Sequence, residues 1–204
     1  MTTLKRGLSS AVALGMCTLI AGCASAPTSA TSPTSSTAPT SSATPTSSAS
    51  PSASPSIDGV VTFGTLDQKH VDTPVAYPQS PPVGGPHSSV WEACDGVVYP
   101  DDLVKERAVH SLEHGAVWIT YRPGLSADQV ATLAAQVRGV DYRMMSPYAG
   151  LTSPITLTAW STQLEVADAA DPRVAAFLAL YTHGPQTPEA GAPCTAAKAP
   201  MTDA

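Results

Sequence analysis

The chain has 204 residues, with 10 Lys+Arg against 16 Asp+Glu and a formal net charge of -6. No basic patch relieves that acidity, so a partner recognised through nucleic-acid phosphates is excluded. Six of the twenty prolines fall in residues 24–56 among Ser, Thr and Ala, and that shift in composition divides the chain into segments of different character.

Residues 1–23, MTTLKRGLSSAVALGMCTLIAGC, place Lys5 and Arg6 before an apolar core that ends in small residues ahead of Cys23. That order is a secretory signal peptide. Its end, L-I-A-G-C, resembles the bacterial lipobox, in which the cysteine is lipidated and becomes the new N-terminus, so Cys23 is the expected lipidation site. The run from Leu8 to Gly22 is shorter than the roughly 20 apolar residues that span a bilayer. A lipid rather than a helix would therefore hold the protein to the membrane, on its extracytoplasmic side. Loss of Lys5 and Arg6 would leave 8 Lys+Arg against 16 Asp+Glu, a net charge of -8.

Residues 24–56 are almost wholly Ser, Thr, Pro and Ala, with no charge and no large apolar side chain. Such a tract buries too little surface to offset the entropy of ordering it, and reads as a disordered tether. Residues 57–204 then form a single folded domain of ordinary size.

Within that domain the segment YPQSPPVGGPH predicts a stiff irregular loop, and WEACDGVVYP a short strand or turn. A helix follows over DDLVKERAVHSLEH, with Asp101 or Asp102 as its cap, Lys105, Glu106 and Arg107 facing solvent, and Gly115 as its stop. AVWITY alternates as a half-buried strand would. SADQVATLAAQV is an amphipathic helix capped by Ser126. VDYRMMSPY suggests a strand broken at Ser146-Pro147, and PITLTAW a further strand. The last helix, DPRVAAFLALYTHG, has Asp171 as cap, Pro172 at its first position and Gly184 as terminator. Few short strands beside these helices predict an α+β fold, a small mostly antiparallel sheet packed against about three helices.

Of the four cysteines, Cys17 lies in the signal and Cys23 is the lipid acceptor, which leaves Cys94 and Cys194 in the domain. An even pair in an oxidising exterior predicts a disulfide, Cys94 to Cys194.

The stretch HSLEHG concentrates the chemistry. His110 and His114 are four residues apart and share one face of a helix, with Glu113 beside them. Imidazole suits several transition metals, so a third ligand is needed to choose among them. His87 fills that role best, because Pro81, Pro82 and Pro86 stiffen its loop while Gly84 and Gly85 allow close backbone approach. Met144 and Met145 add thioether donors, which favour copper(I). The expectation is a copper-binding domain using His87, His110, His114 and Met145 or Met144, for copper handling rather than turnover. Glu113 is expected to orient a ligand histidine. His70 and His183, near element ends, show no partner in sequence.

Two other readings stay open. H-x-x-E-H matches the inverted zinc-peptidase motif, in which both histidines bind zinc and the glutamate activates water. A metal-free module that contacts an envelope protein would use the histidines structurally. No G-x-S-x-G, phosphate-binding glycine loop or C-x-x-C supports another enzyme class.

PPVGGPH, VHSLEHGAVWITY, MMSPY, and ITLTAW followed by a final helix and a cysteine, taken in that order, resemble the bacterial domain-of-unknown-function family 3105. The resemblance covers about His70 to Cys194. It implies a small extracytoplasmic domain attached by a lipoprotein signal or a membrane helix. The family's first motif, P-P-x-S-G-x-H, matches at His87, with Gly84 where serine is usual; its second matches at His110, Glu113, His114 and Gly115.

Overall fold

A computed structural model describes residues 56–195. The signal peptide, Cys23 and nearly all of the tether lie outside the described residues.

Among the described residues six strands form one sheet in the order β1-β6-β5-β3-β4-β2. They are β1 (Val60–Thr62), β2 (Asp95–Val98), β3 (Val117–Tyr121), β4 (Arg143–Pro147), β5 (Ile155–Ala159) and β6 (Thr162–Val166). Three helices accompany them among the described residues, α1 (Lys105–Glu113), α2 (Ala127–Ala135) and α3 (Pro172–Tyr181). The sheet is larger than expected and mixed rather than mostly antiparallel. β4 runs parallel to both β3 and β2, whereas β3-β5, β5-β6 and β6-β1 are antiparallel. The parallel half arises because β2, β3 and β4 are joined through helices, and parallel neighbours require such crossovers.

The path from β2 through α1 to β3 crosses the sheet in one direction, and the path from β3 through α2 to β4 returns. Crossovers of one hand running in opposite directions place their helices on opposite faces. Accordingly α2 and α3 pack on one face against Val117, Ile119, Met145, Leu157 and Leu164. On the other face Leu112 of α1 joins Trp118, Met144, Trp160 and Cys94. β3 is therefore covered on both sides: Val117 to Thr120 are all buried, where a half-buried strand was expected. A near-continuous apolar run is what such a strand needs.

Several element ends differ from the sequence reading. α1 starts at Lys105 with Val104 at the cap position and no side-chain cap, so neither Asp101 nor Asp102 caps it. Ser146 and Pro147 do not break β4 but belong to it. Tyr148 donates to the Tyr121 carbonyl and Tyr99 to that of Met145, so by alternation the absent Pro147 donor faces the side where β2 has ended at Val98. A proline fits a strand there at no cost in ladder bonds. α3 does begin as read, with the Asp171 carboxylate accepting from the Arg173 amide and Pro172 behind it. Its left-handed residue after the helix is His183, φ 49°, rather than Gly184.

A candidate metal centre

The last two turns of α1 are buried from Ala108 to Glu113. Its apolar side chains face the sheet, while His110, Ser111 and Glu113 are enclosed by two covering segments. The first is the loop through His87, which the sequence marked by its prolines and glycines. Val71 donates to the His87 carbonyl and His87 to that of Lys69, a bridge that sets His70 beside His87. Gly84 lets this loop descend: at φ 142° its position would bring a Cβ to 2.6 Å from Leu66 Cδ1 and 3.2 Å from the Trp160 ring. Ser111 Oγ accepts from the Glu92 amide and donates to the Glu92 carbonyl, which clamps the end of the loop onto the helix.

The second covering segment is the chain after α3. His183 donates to the Gly115 carbonyl and Glu189 to that of Glu113. Cys194 is disulfide-bonded to Cys94, as expected from the cysteine count. Gly115, φ 103°, ends α1 and leaves room for this strap: a Cβ would lie 2.9 Å from Thr187 Oγ1. Left-handed backbone and close approach both require glycine there.

Three imidazoles are fixed in the same way. Nδ1 of His87 donates to the Gly85 carbonyl at 2.8 Å, that of His110 to Ser88 at 2.7 Å, and that of His114 to Pro193 at 2.9 Å. A carbonyl oxygen only accepts, so each Nδ1 carries the hydrogen and each neutral ring keeps its lone pair on Nε2. Histidines that ligate metals are held by this kind of bond. The rings follow one another closely: centroids are 4.9 Å apart for His70 and His87, 4.8 Å for His70 and His110, and 4.6 Å for His110 and His114. Trp91 packs on His110 and His114, and Trp160 on His87.

Among the described residues ligand atoms converge in two groups that share His110. His70, His87, His110 and Glu113 form one, and His110, His114 and Glu189 the other, with the ligand atoms of each group within 4.8 Å of one another. In the first, His87 Nε2 is 2.8 Å and His70 Nε2 4.0 Å from Glu113 Oε2. A tetrahedral ion with ligand bonds of roughly 2.0 to 2.1 Å sets its ligand atoms about 3.3 Å apart, between these two distances. His87 Nε2 and Glu113 Oε2 form an ion pair only if a proton sits on Nε2; with the ring neutral both are buried polar atoms without a hydrogen-bond partner. A buried pair of this kind is costly unless something else satisfies it.

Electrostatics separate the two buried histidines of this group. Burial, together with the neighbouring imidazoles of His114, His87 and His70, pushes His110 down to about 4 despite its bond to Ser88. Burial also lowers His87, but its contact with Glu113 and its bond to Gly85 more than reverse this, so its affinity for a proton ends above the ordinary value. The group thus sets a carboxylate, Glu113, at one end and keeps His110 as a neutral donor.

Of the residues read from sequence, His87, His110 and Glu113 come together, and His114 stands in the adjoining group. Glu113 offers a ligand atom itself rather than only orienting a histidine. The methionines separate. Met145 lies in the apolar cluster under α2 and α3, and Met144 among Leu112, Trp118 and Trp160 on the α1 face. His70 and Glu189 were missed. Only the bridge to His87 brings in His70, and only the disulfide-bonded strap brings in Glu189, so no local signal marks either. His183 stacks on Tyr142 and accepts from the Gly191 amide.

This mixed sheet, with a histidine and carboxylate cluster enclosed between its one lone helix and two covering segments, defines a domain built around a polar buried site. The chain belongs to the family of proteins of unknown function DUF3105, whose profile matches residues 69–196. All six ligand-type residues lie inside that match. No curated protein and no solved structure matches the chain.

Proposed function

We propose that the domain binds one divalent transition-metal ion through Nε2 of His70, His87 and His110 and the carboxylate of Glu113, in a protein anchored outside the cell membrane by a lipid on Cys23. The observation that carries this reading is the orphaned pair His87 Nε2 and Glu113 Oε2, facing each other beside two further imidazoles. A cation satisfies both atoms at once. Three imidazoles and a carboxylate form a nitrogen and oxygen set, for which copper(II) binds ahead of zinc in the usual affinity order. The role is metal handling or buffering, with copper as the ion and zinc as the alternative. Neither methionine is needed, which moves the expectation from cuprous to cupric copper. For the anchor the support is the lipobox-like L-I-A-G-C and the Ser/Thr/Pro/Ala tract that follows. Among the described residues no helix is long and apolar enough to cross a membrane.

A zinc hydrolase would need Glu113 free to activate a metal-bound water. Its Oε2 instead lies against His87, within the ligand group. A metal-free interaction module would leave the His87 and Glu113 pair dependent on a proton at Nε2.

Elemental analysis of the purified full-length protein, followed by copper(II) and zinc titrations against a competing chelator, tests the proposal. One equivalent of tightly held ion is expected, with a large loss in His87→Ala. Failure of both metals to bind, or binding indifferent to His87→Ala, overturns it.

A further inference from the structure

Each ligand group has one exposed member, His70 at 47% in the first and Glu189 in the second, but only the second exposes its carboxylate. Glu189, on the strap, is 48% exposed, and its Oε2 lies 3.6 Å from Nε2 of His114, which is 3% exposed. His114 in turn adjoins His110, the residue common to both groups. The ligands thus run from an exposed carboxylate through two buried imidazoles to the buried His87 and Glu113 and the exposed His70.

His110 limits what this arrangement can do. Its Nδ1 is committed to the Ser88 carbonyl, so it has one lone pair to offer and cannot hold two ions at once. With His110 bound inward, His114 and Glu189 retain only two donors. The two groups are therefore alternative seats for a single ion.

Resting on the proposed metal-binding role, we infer that His114 and Glu189 are a loading position: a divalent ion is first held by Glu189, His114 and His110, then passes inward. The transfer is a ligand exchange without change of oxidation state. Bonds to His114 and Glu189 break, bonds to His87, Glu113 and His70 form, and His110 stays attached throughout, so the ion is never bare. Glu189, as an exposed carboxylate, attracts the cation from solvent. The Pro193 carbonyl, held by the neighbouring disulfide, keeps His114 aimed at it.

Stopped-flow mixing of the full-length protein with copper(II), read by quenching of tryptophan fluorescence from Trp91 and Trp160, tests this. Glu189→Gln should slow both association and dissociation by about ten-fold, the lower end of the range that local charge exerts on encounter. His114→Ala should do the same, and Glu189, being on the surface, supplies a variant that folds whatever becomes of His114→Ala. Glu113→Gln should instead speed dissociation and weaken binding while association stays near wild type. The inference fails if Glu189→Gln associates at the wild-type rate, if it weakens equilibrium binding as far as Glu113→Gln does, or if the protein holds two equivalents together. In all three cases the metal-binding role itself stands. A wild-type protein that takes up no ion overturns both.

Discussion

The two faces of the sheet are built from the same strands and yet differ in kind. Under α2 and α3 the cluster is apolar side chains interdigitating across the sheet, from Val117 and Leu157 to Phe177 and Leu178. On the α1 face the buried set also includes His87, His110, Glu113 and His114. A face that only had to pack would not carry four buried titratable groups, because each costs free energy unless paired. The comparison separates stability from the proposed function: the first face holds the sheet together, and on the proposed reading the second uses that rigidity to hold ligands in place.

The disulfide is the largest lever. Replacing Cys94 and Cys194 by alanine removes a link across 100 residues of sequence. It should lower unfolding free energy by about 4 to 5 kcal/mol on the chain-entropy account, measured by urea denaturation. Because the strap carries Glu189 and the Pro193 carbonyl, metal loading should slow as well. Unchanged loading would break the link between the strap and the site.

Phe177→Ala strikes the other face, where the ring is fully buried. The expected cost is roughly 3 to 5 kcal/mol, with the metal affinity of the folded fraction unaltered. A parallel fall in affinity, seen by chelator competition, would show that the two faces are not independent.

Glu113→Gln reverses that pattern. It should weaken copper(II) binding by more than about 100-fold, beyond what the loss of a merely supporting contact brings. Far-ultraviolet circular dichroism should show the fold retained.

The smallest effect is a pH dependence of the metal-free protein. Folded His110 is held at about 4, whereas the unfolded residue titrates near the ordinary 6.5. Between these values the unfolded chain binds the extra proton, so stability from this residue is present above 6.5 and is lost as pH falls toward 4. His87, raised by Glu113, works with the opposite sign and gives up its contribution as pH rises. Melting curves from pH 7 to pH 4 in chelator should therefore fall less steeply for His110→Gln than for wild type. Equal slopes would mean that His110 is protonated in the folded protein.

Much of the second face was legible as chemistry without being legible as geometry. The spacing in HSLEHG put His110, Glu113 and His114 at one helix end, and the prolines and glycines before His87 marked a rigid loop. The reverse held for the sheet. β6, T-Q-L-E-V, buries Thr162, Leu164 and Val166 with polar residues between them, an alternation open to reading. No Asn-Gly or Asp-Gly announces its hairpin; the turn is Trp160-Ser161, with Ser161 at φ 54°. The paired methionines were read as donors because thioether chemistry is visible in one dimension. Strand alternation then sends them to opposite faces.

The sequence by itself determined the local features: the stop at Gly115, the Asp171-Pro172 start of α3, the Cys94 and Cys194 pair, and the concentration of imidazole and carboxylate near the end of α1. Each depends on neighbours in the chain or on a residue's intrinsic chemistry. Only the tertiary structure decided that β2, β3 and β4 run parallel, that His70 and Glu189 join the ligand groups, and that Met145 leaves them. The physical reason is distance along the chain. His70 lies 43 residues before Glu113 and Glu189 lies 76 after it. Contacts at that range are set by crossovers, a loop bridge and a disulfide, none of which leaves a periodic trace in the sequence.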